Sequence, residues 1–66
     1  MAEIWRPQEI KVYQSWIESI VDEASDELSD WESSFLSDIQ MRLDKGYNLT
    51  ENQAKKLESI YTDKTS

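Results

Sequence analysis

The chain contains no cysteine and no histidine. That gap removes disulfide staples, thiolate nucleophiles, the usual zinc ligands and the commonest general base, so an enzyme built on this chain would have to work with carboxylates alone. No apolar run approaches the roughly 20 residues needed to span a bilayer. Met1-Ala2-Glu3-Ile4 lacks the basic and apolar regions of a secretory signal, so the expectation is a soluble, cytoplasmic protein with no membrane attachment. Positive charge is also scarce. Seven Lys and Arg stand against fourteen Asp and Glu, a net charge of −7, and nothing resembles the basic stripe of a nucleic-acid binder. Glycine and proline occur once each, and each is expected at a break in regular structure.

What the chain has is a modest supply of large apolar side chains. Its 66 residues are enough for one domain, and a chain this short buries only about 60% of the surface it exposes when unfolded, which argues against a deep catalytic cleft. With 38% hydrophobic residues, three Trp and three Tyr, it can still form a compact core or complete one by oligomerising.

The spacing of these residues predicts three helices. Pro7 disfavours helical geometry at Arg6 and suits the first position of a helix, so residues 1–6 read as an arm and helix one as residues 7–24. Its apolar face is Ile10, Tyr13, Ile17, Ile20, Val21 and Ala24, with Val12 off that face and Trp16 at its margin. Ile4 and Trp5 in the arm are expected to tuck onto the bundle rather than meet a partner. Ser29-x-x-Glu32 has the form of a capping box and opens helix two, residues 30–45. Trp31, Phe35, Ile39 and Leu43 recur every four residues along it, with Leu36 beside them. Arg42 and Lys45 suit the carbonyl end of the macrodipole, and Gly46 follows where a left-handed residue is needed.

Thr50-x-x-Gln53 is a second capping box, with Leu49 and Ala54 placed as a hydrophobic staple. Helix three, residues 51–62, presents Ala54, Leu57, Ile60 and Tyr61 to the core, and residues 63–66 read as a polar, fraying tail. Asn48-Leu49-Thr50 fits a glycosylation acceptor but reads as loop chemistry in the absence of a signal. The fold class expected is all-α: a small three-helix bundle, or a helical hairpin plus a helix, within residues 7–62. Either helix two packs between the other two, or helix one completes its core against a second copy.

The acidity is uneven. Residues 1–28 carry seven acids and two bases, residues 29–45 four and two, and residues 46–66 three and three. Glu18, Asp22, Glu23, Asp26, Glu27, Asp30 and Glu32 form a run with no Lys or Arg anywhere between Lys11 and Arg42. Glu18 with Asp22, Asp22 with Asp26, Glu23 with Glu27 and Asp26 with Asp30 are like-charge pairs at four-residue spacing, each costing a helix a few tenths of a kcal/mol. Acids ending helix one oppose its macrodipole, whereas those around Ser29 favour the next start. Part of the run is thus capping chemistry, and the rest is either a solvated face or a partner-binding surface.

Other constellations carry less. Helix two, the turn at Gly46 and helix three have the outline of a helix-turn-helix. However, Lys55, Lys56 and Lys64 are balanced by Glu51, Glu58 and Asp63, so direct nucleic-acid binding is not expected. Residues 22–30 lack the ordered D-x-D-x-D-G pattern of an EF-hand, so no metal and no other cofactor is expected. Paired carboxylates serve glycoside hydrolysis only in a pocket that holds them at a fixed separation.

The segment Trp31-Glu32-x-x-Phe35-x-x-x-Ile39-x-x-x-Leu43-x-x-Gly46-x-x-Leu49-Thr50-x-x-Gln53-x-x-x-Leu57-x-x-Ile60-Tyr61 resembles a short helical module recurring in small phage-encoded proteins and at the ends of some phage and bacterial DNA-metabolism proteins. The resemblance covers roughly half of the chain. It implies a phage or prophage source and brings no catalytic residues, and the acidic first helix lies outside it.

These features together point to a non-enzymatic interaction module, a phage-type inhibitor that meets a basic, nucleic-acid-binding surface of a host enzyme or defence complex. Glu18, Asp22, Glu23, Asp26, Glu27 and Asp30 would steer the encounter and Trp16 and Trp31 anchor it, with the carboxylates imitating phosphates. The alternative is a structural module that forms a homo-oligomer through Trp16, Val12 and Met41 or docks on a larger phage protein.

Overall fold

The capping box at Ser29 closes as its residue types require. The Glu32 amide donates to Ser29 Oγ at 3.3 Å, and the Ser29 amide donates to Glu32 Oε1 at 2.9 Å. Thr50 and Gln53 make the same reciprocal pair at 3.2 and 3.0 Å. The computed structural model describes residues 4–65, so expectations for Met1 to Glu3 and for Ser66 lie outside the described residues. The elements are α1 (Ile10–Ala24), a one-turn 3₁₀ helix (Ser25–Glu27), α2 (Asp30–Asp44) and α3 (Glu51–Lys64). The described residues contain no strand, and the fold is the small all-α three-helix arrangement that the periodicity predicts.

The end of α2 is a complete Schellman motif. Tyr47 N–H donates to the Arg42 carbonyl at 3.1 Å and Gly46 N–H to the Leu43 carbonyl at 2.9 Å, with Gly46 at φ +88°. Arg42 is taken up locally: its Nε donates to the Asn48 carbonyl at 2.7 Å, and its guanidinium lies 5.9 Å from the Tyr47 ring centroid.

Two helix ends differ from expectation, each for a visible reason. Helix one begins at Ile10 rather than Pro7. The Gln8 carbonyl, which would accept from Val12 in a longer helix, instead accepts from Asn48 Nδ2 at 2.8 Å, and Val12 N–H turns to the Glu9 carbonyl at 2.9 Å. The Gln8 amide donates to the Tyr13 hydroxyl at 2.9 Å, which further pins this segment outside the helix. At the other end, α3 continues through Asp63 and Lys64 where a fraying tail was expected. The Lys64 side chain is only 18% exposed, and its ammonium reaches the Glu27 carbonyl at 3.4 Å, so the last turn is tied to the α1–α2 connection.

The core takes Tyr13, Ile17 and Ile20 from α1, Leu36, Ile39 and Leu43 from α2, Leu49 from the connection, and Ala54, Leu57 and Ile60 from α3. Ile20, Ile39 and Leu57, one from each helix, are fully buried. Leu49 and Ala54 are both buried, as the staple requires. The central helix is α1 and not α2: it packs on both others, most extensively on α3, while α2 and α3 touch least. The reason is aromatic. Trp16 stacks on Tyr61 of α3 at 5.1 Å with ring planes 13° apart, and meets Tyr13 edge-on at 5.3 Å, which widens the buried face of α1 beyond its aliphatic stripe. Trp5 packs half-buried against the core while Ile4 is exposed.

Two expected core positions lie outside it. Val21 is 47% exposed and Trp31 58%. A four-residue repeat overshoots the 3.6-residue turn by about 40° per step, so three steps back from Leu43 carry Trp31 about 120° around the helix. Its ring leans on Phe35 at 5.9 Å instead of entering the core.

The Ser29 cap supports a direct test. Ser29→Ala should cost about 1 kcal/mol and lower the melting temperature by about 4–8 °C, read by circular dichroism. The Glu32 carboxylate is held below its ordinary pKa by the Ser29 amide first, then by the Ser29 hydroxyl, with Lys64 adding attraction. A depressed carboxylate stabilises the fold above its unfolded pKa and loses that contribution as pH falls through the folded value. The capping difference between wild type and Glu32→Gln should therefore shrink on acidification below about pH 4.3.

Candidate interaction surface

The connection between α1 and α2 places the acidic run at one end of the molecule. Glu18, Asp22 and Glu23 lie on the second half of α1, Asp26 and Glu27 in the 3₁₀ turn, and Asp30 at the first position of α2, all six exposed. Their proximity is a consequence of the tight turn, in which the two helix ends are separated by only the 3₁₀ helix, Leu28 and Ser29. The carboxylates spread over the outside of this corner: among the described residues no group of three acids is placed to hold a metal ion.

In space the run is not free of positive charge. Lys64 enters it from α3, donating to the Glu27 carbonyl, lying 3.6 Å from Asp63 and acting on Glu32. A cation here offsets part of the unfavourable meeting of acids with the carbonyl end of α1. Sequence reasoning missed Lys64 because helix three was ended two residues early. Its spacing of four from Ile60 and seven from Leu57 was the signal that a longer helix would carry it inward.

The two tryptophans assigned to the surface separate. Trp16 is half-buried in the Tyr13–Trp16–Tyr61 stack, which is a packing position between α1 and α3. Trp31 stands exposed beside the acidic corner, over a shallow hollow of about 250 Å³ that it shares with Glu32, Lys56, Ser59, Ile60 and Asp63. Of the apolar residues assigned to an oligomer contact, Met41 is 54% exposed and Val12 is half-buried.

A second feature was not anticipated. Between α1 and α2 lies a groove of about 230 Å³ whose floor is Ile17, Val21, Leu28 and Leu36, with Ser33, Ser37 and Gln40 along the α2 lip. At one end Asp44 Oδ1 accepts from Gln14 Nε2 at 3.4 Å and from Gln40 Nε2 at 3.0 Å, bridging the two helices. The sequence hint was Val21, an apolar residue set past the centre of the α1 face. A larger hollow of about 470 Å³ is lined by Lys55, Glu58, Ser59, Thr62 and Asp63, all on one side of α3, and is open helix surface. No helix among the described residues is long and apolar enough to cross a membrane.

Comparison of the chain with protein-family models, with curated proteins and with solved structures finds no match.

Proposed function

We propose that this protein is a non-enzymatic interaction module that presents the acidic α1–α2 corner and the adjoining Trp31 to a basic surface of a partner protein. The observation that carries the reading is the exposure of Glu18, Asp22, Glu23, Asp26, Glu27 and Asp30 at one end of a small rigid scaffold, beside a tryptophan that folding does not bury. Such an arrangement steers encounter through the acids and supplies a large apolar anchor at the contact. In its sharper form the module is an inhibitor: carboxylates on a fixed helical frame occupy the phosphate sites of a nucleic-acid-binding partner.

The test is binding to a purified basic nucleic-acid-binding domain at low salt and at about 0.3 M salt, where exposed charges are screened beyond about 6 Å. Affinity is expected to fall steeply with salt, duplex DNA to compete, and the combined variant Asp22→Asn, Glu23→Gln, Asp26→Asn, Glu27→Gln to lose the salt-dependent part. Salt-insensitive self-association whose size grows with concentration would overturn this reading in favour of a structural module joined through exposed residues such as Met41.

A further inference from the structure

We infer that the α1–α2 groove is the seat of a short cationic amphipathic helix supplied by the partner. This rests on the reading above and narrows it, replacing a general basic surface by one segment of defined pattern and moving the apolar anchor point from Trp31 to the groove floor.

The floor is apolar and incompletely covered, with Val21 47% exposed above Ile17, Leu28 and Leu36. Its volume of about 230 Å³ has room for a leucine- or phenylalanine-sized side chain and a neighbour. No charged residue lines the groove itself, and the charges on α1 and α2 set next to the lining are acidic. On α1, the Gln14–Asp44 bond identifies the flank turned toward α2. Glu18 lies near that flank, one turn from Gln14, whereas Asp22, a further turn on, is rotated about 80° from it toward solvent. On α2, Asp30 precedes Ser33 by one turn, and Asp44 closes the far end against Gln40. The only basic residue on α1 is Lys11, and Arg42 of α2 is directed to Asn48 and Tyr47 instead.

Charge complementarity therefore selects a cationic occupant. A second copy of this chain is a poor one, since with a net charge of −7 it would bring the same acidic flanks against its twin. Backbone chemistry selects a helix. The lips offer serine and glutamine side chains and no strand edge, so an extended peptide gains no backbone pairing from this protein, whereas a helix satisfies its own amides and can turn one apolar face to the floor. The lip residues Ser33 to Gln40 span about 10 Å, close to two helical turns, and the small serines allow a helix to settle near the floor.

The experiment is a titration of the intact isotope-labelled protein, followed by amide chemical shifts, with two synthetic probes of about four turns each. One carries leucine on one face and lysine on the other; the second has equal positive charge with serine in place of leucine. The leucine–lysine probe is expected to shift Ile17, Val21, Leu28 and Leu36 selectively and to bind more tightly than its serine counterpart. Val21→Gln, at an exposed position that leaves the fold intact by circular dichroism, should weaken it about tenfold, whereas Trp31→Ala should not. Equal binding of both probes, or dependence on Trp31 and not on Val21, would overturn the groove assignment while leaving the acidic corner as the docking surface. Failure of both probes to bind at low salt would overturn both.

Discussion

Ile20→Ala is expected to leave the chain largely unfolded at room temperature. Ile20 is wholly shielded from solvent on α1, the helix that packs most extensively on the other two, and is joined in the core by the equally buried Ile39 and Leu57. Truncation of a buried isoleucine costs about 2–5 kcal/mol through lost transfer energy and the cavity left behind. A single core in a chain below about 70 residues rarely supplies more than about 3–5 kcal/mol in total, and this chain has no disulfide to make up the difference. Helical circular dichroism should collapse, with the residual transition moved to much lower denaturant. Ile20→Val, which leaves a smaller void, should lose only about 0.5–1.5 kcal/mol and stay folded. If Ile20→Ala melted within a few degrees of wild type, α1 would not be the helix on which the fold depends.

Trp16→Ala and Trp31→Ala should behave oppositely, although the sequence presents both as aromatic members of one acidic segment. Trp16 stacks on Tyr61 and meets Tyr13 edge-on, so its removal takes away the contact that widens the α1–α3 interface. The cost should approach the about 3–5 kcal/mol known for large aromatic truncations, lowered by the partial exposure of the ring. Trp31 leans on Phe35 and is 58% exposed, so Trp31→Ala should change stability by less than about 0.5 kcal/mol. Paired urea denaturation curves of the two variants decide the matter. Near-equal midpoints would mean that the aromatic stack does not hold α3 to α1.

The parts of this protein readable in advance are those whose causes are local. The reciprocal bonds of Ser29 with Glu32 and Thr50 with Gln53, and the left-handed Gly46 with the bonds from its own amide to Leu43 and from the Tyr47 amide to Arg42, each depend on residues within five positions of one another. Helical spacing likewise marked the aliphatic core of each helix. The two helix ends that came out differently were decided by distant partners. Asn48 takes the Gln8 carbonyl across 40 positions, and Lys64 reaches Glu27 across 37.

The candidate surface divides in the same way. That the acids would be exposed and crowded follows from their number and spacing along the chain. Whether they stand alone, which tryptophan is free and where apolar floor remains uncovered depend on how three cylinders meet. A helix overshoots a four-residue repeat, so Trp31 rotates out of the ridge that its spacing suggests. A face broader than its partners can cover leaves Val21 part-exposed on the floor of a groove. The sequence by itself determined three helices, two of them opened by capping boxes, their aliphatic faces and an acidic connection, because these are set by side-chain chemistry over one or two turns. Only the tertiary structure decided that α1 is central, that Trp16 is sealed against Tyr61, that Lys64 enters the acidic corner and that the α1–α2 groove stays open, because packing angles and long-range contacts have no period in the chain.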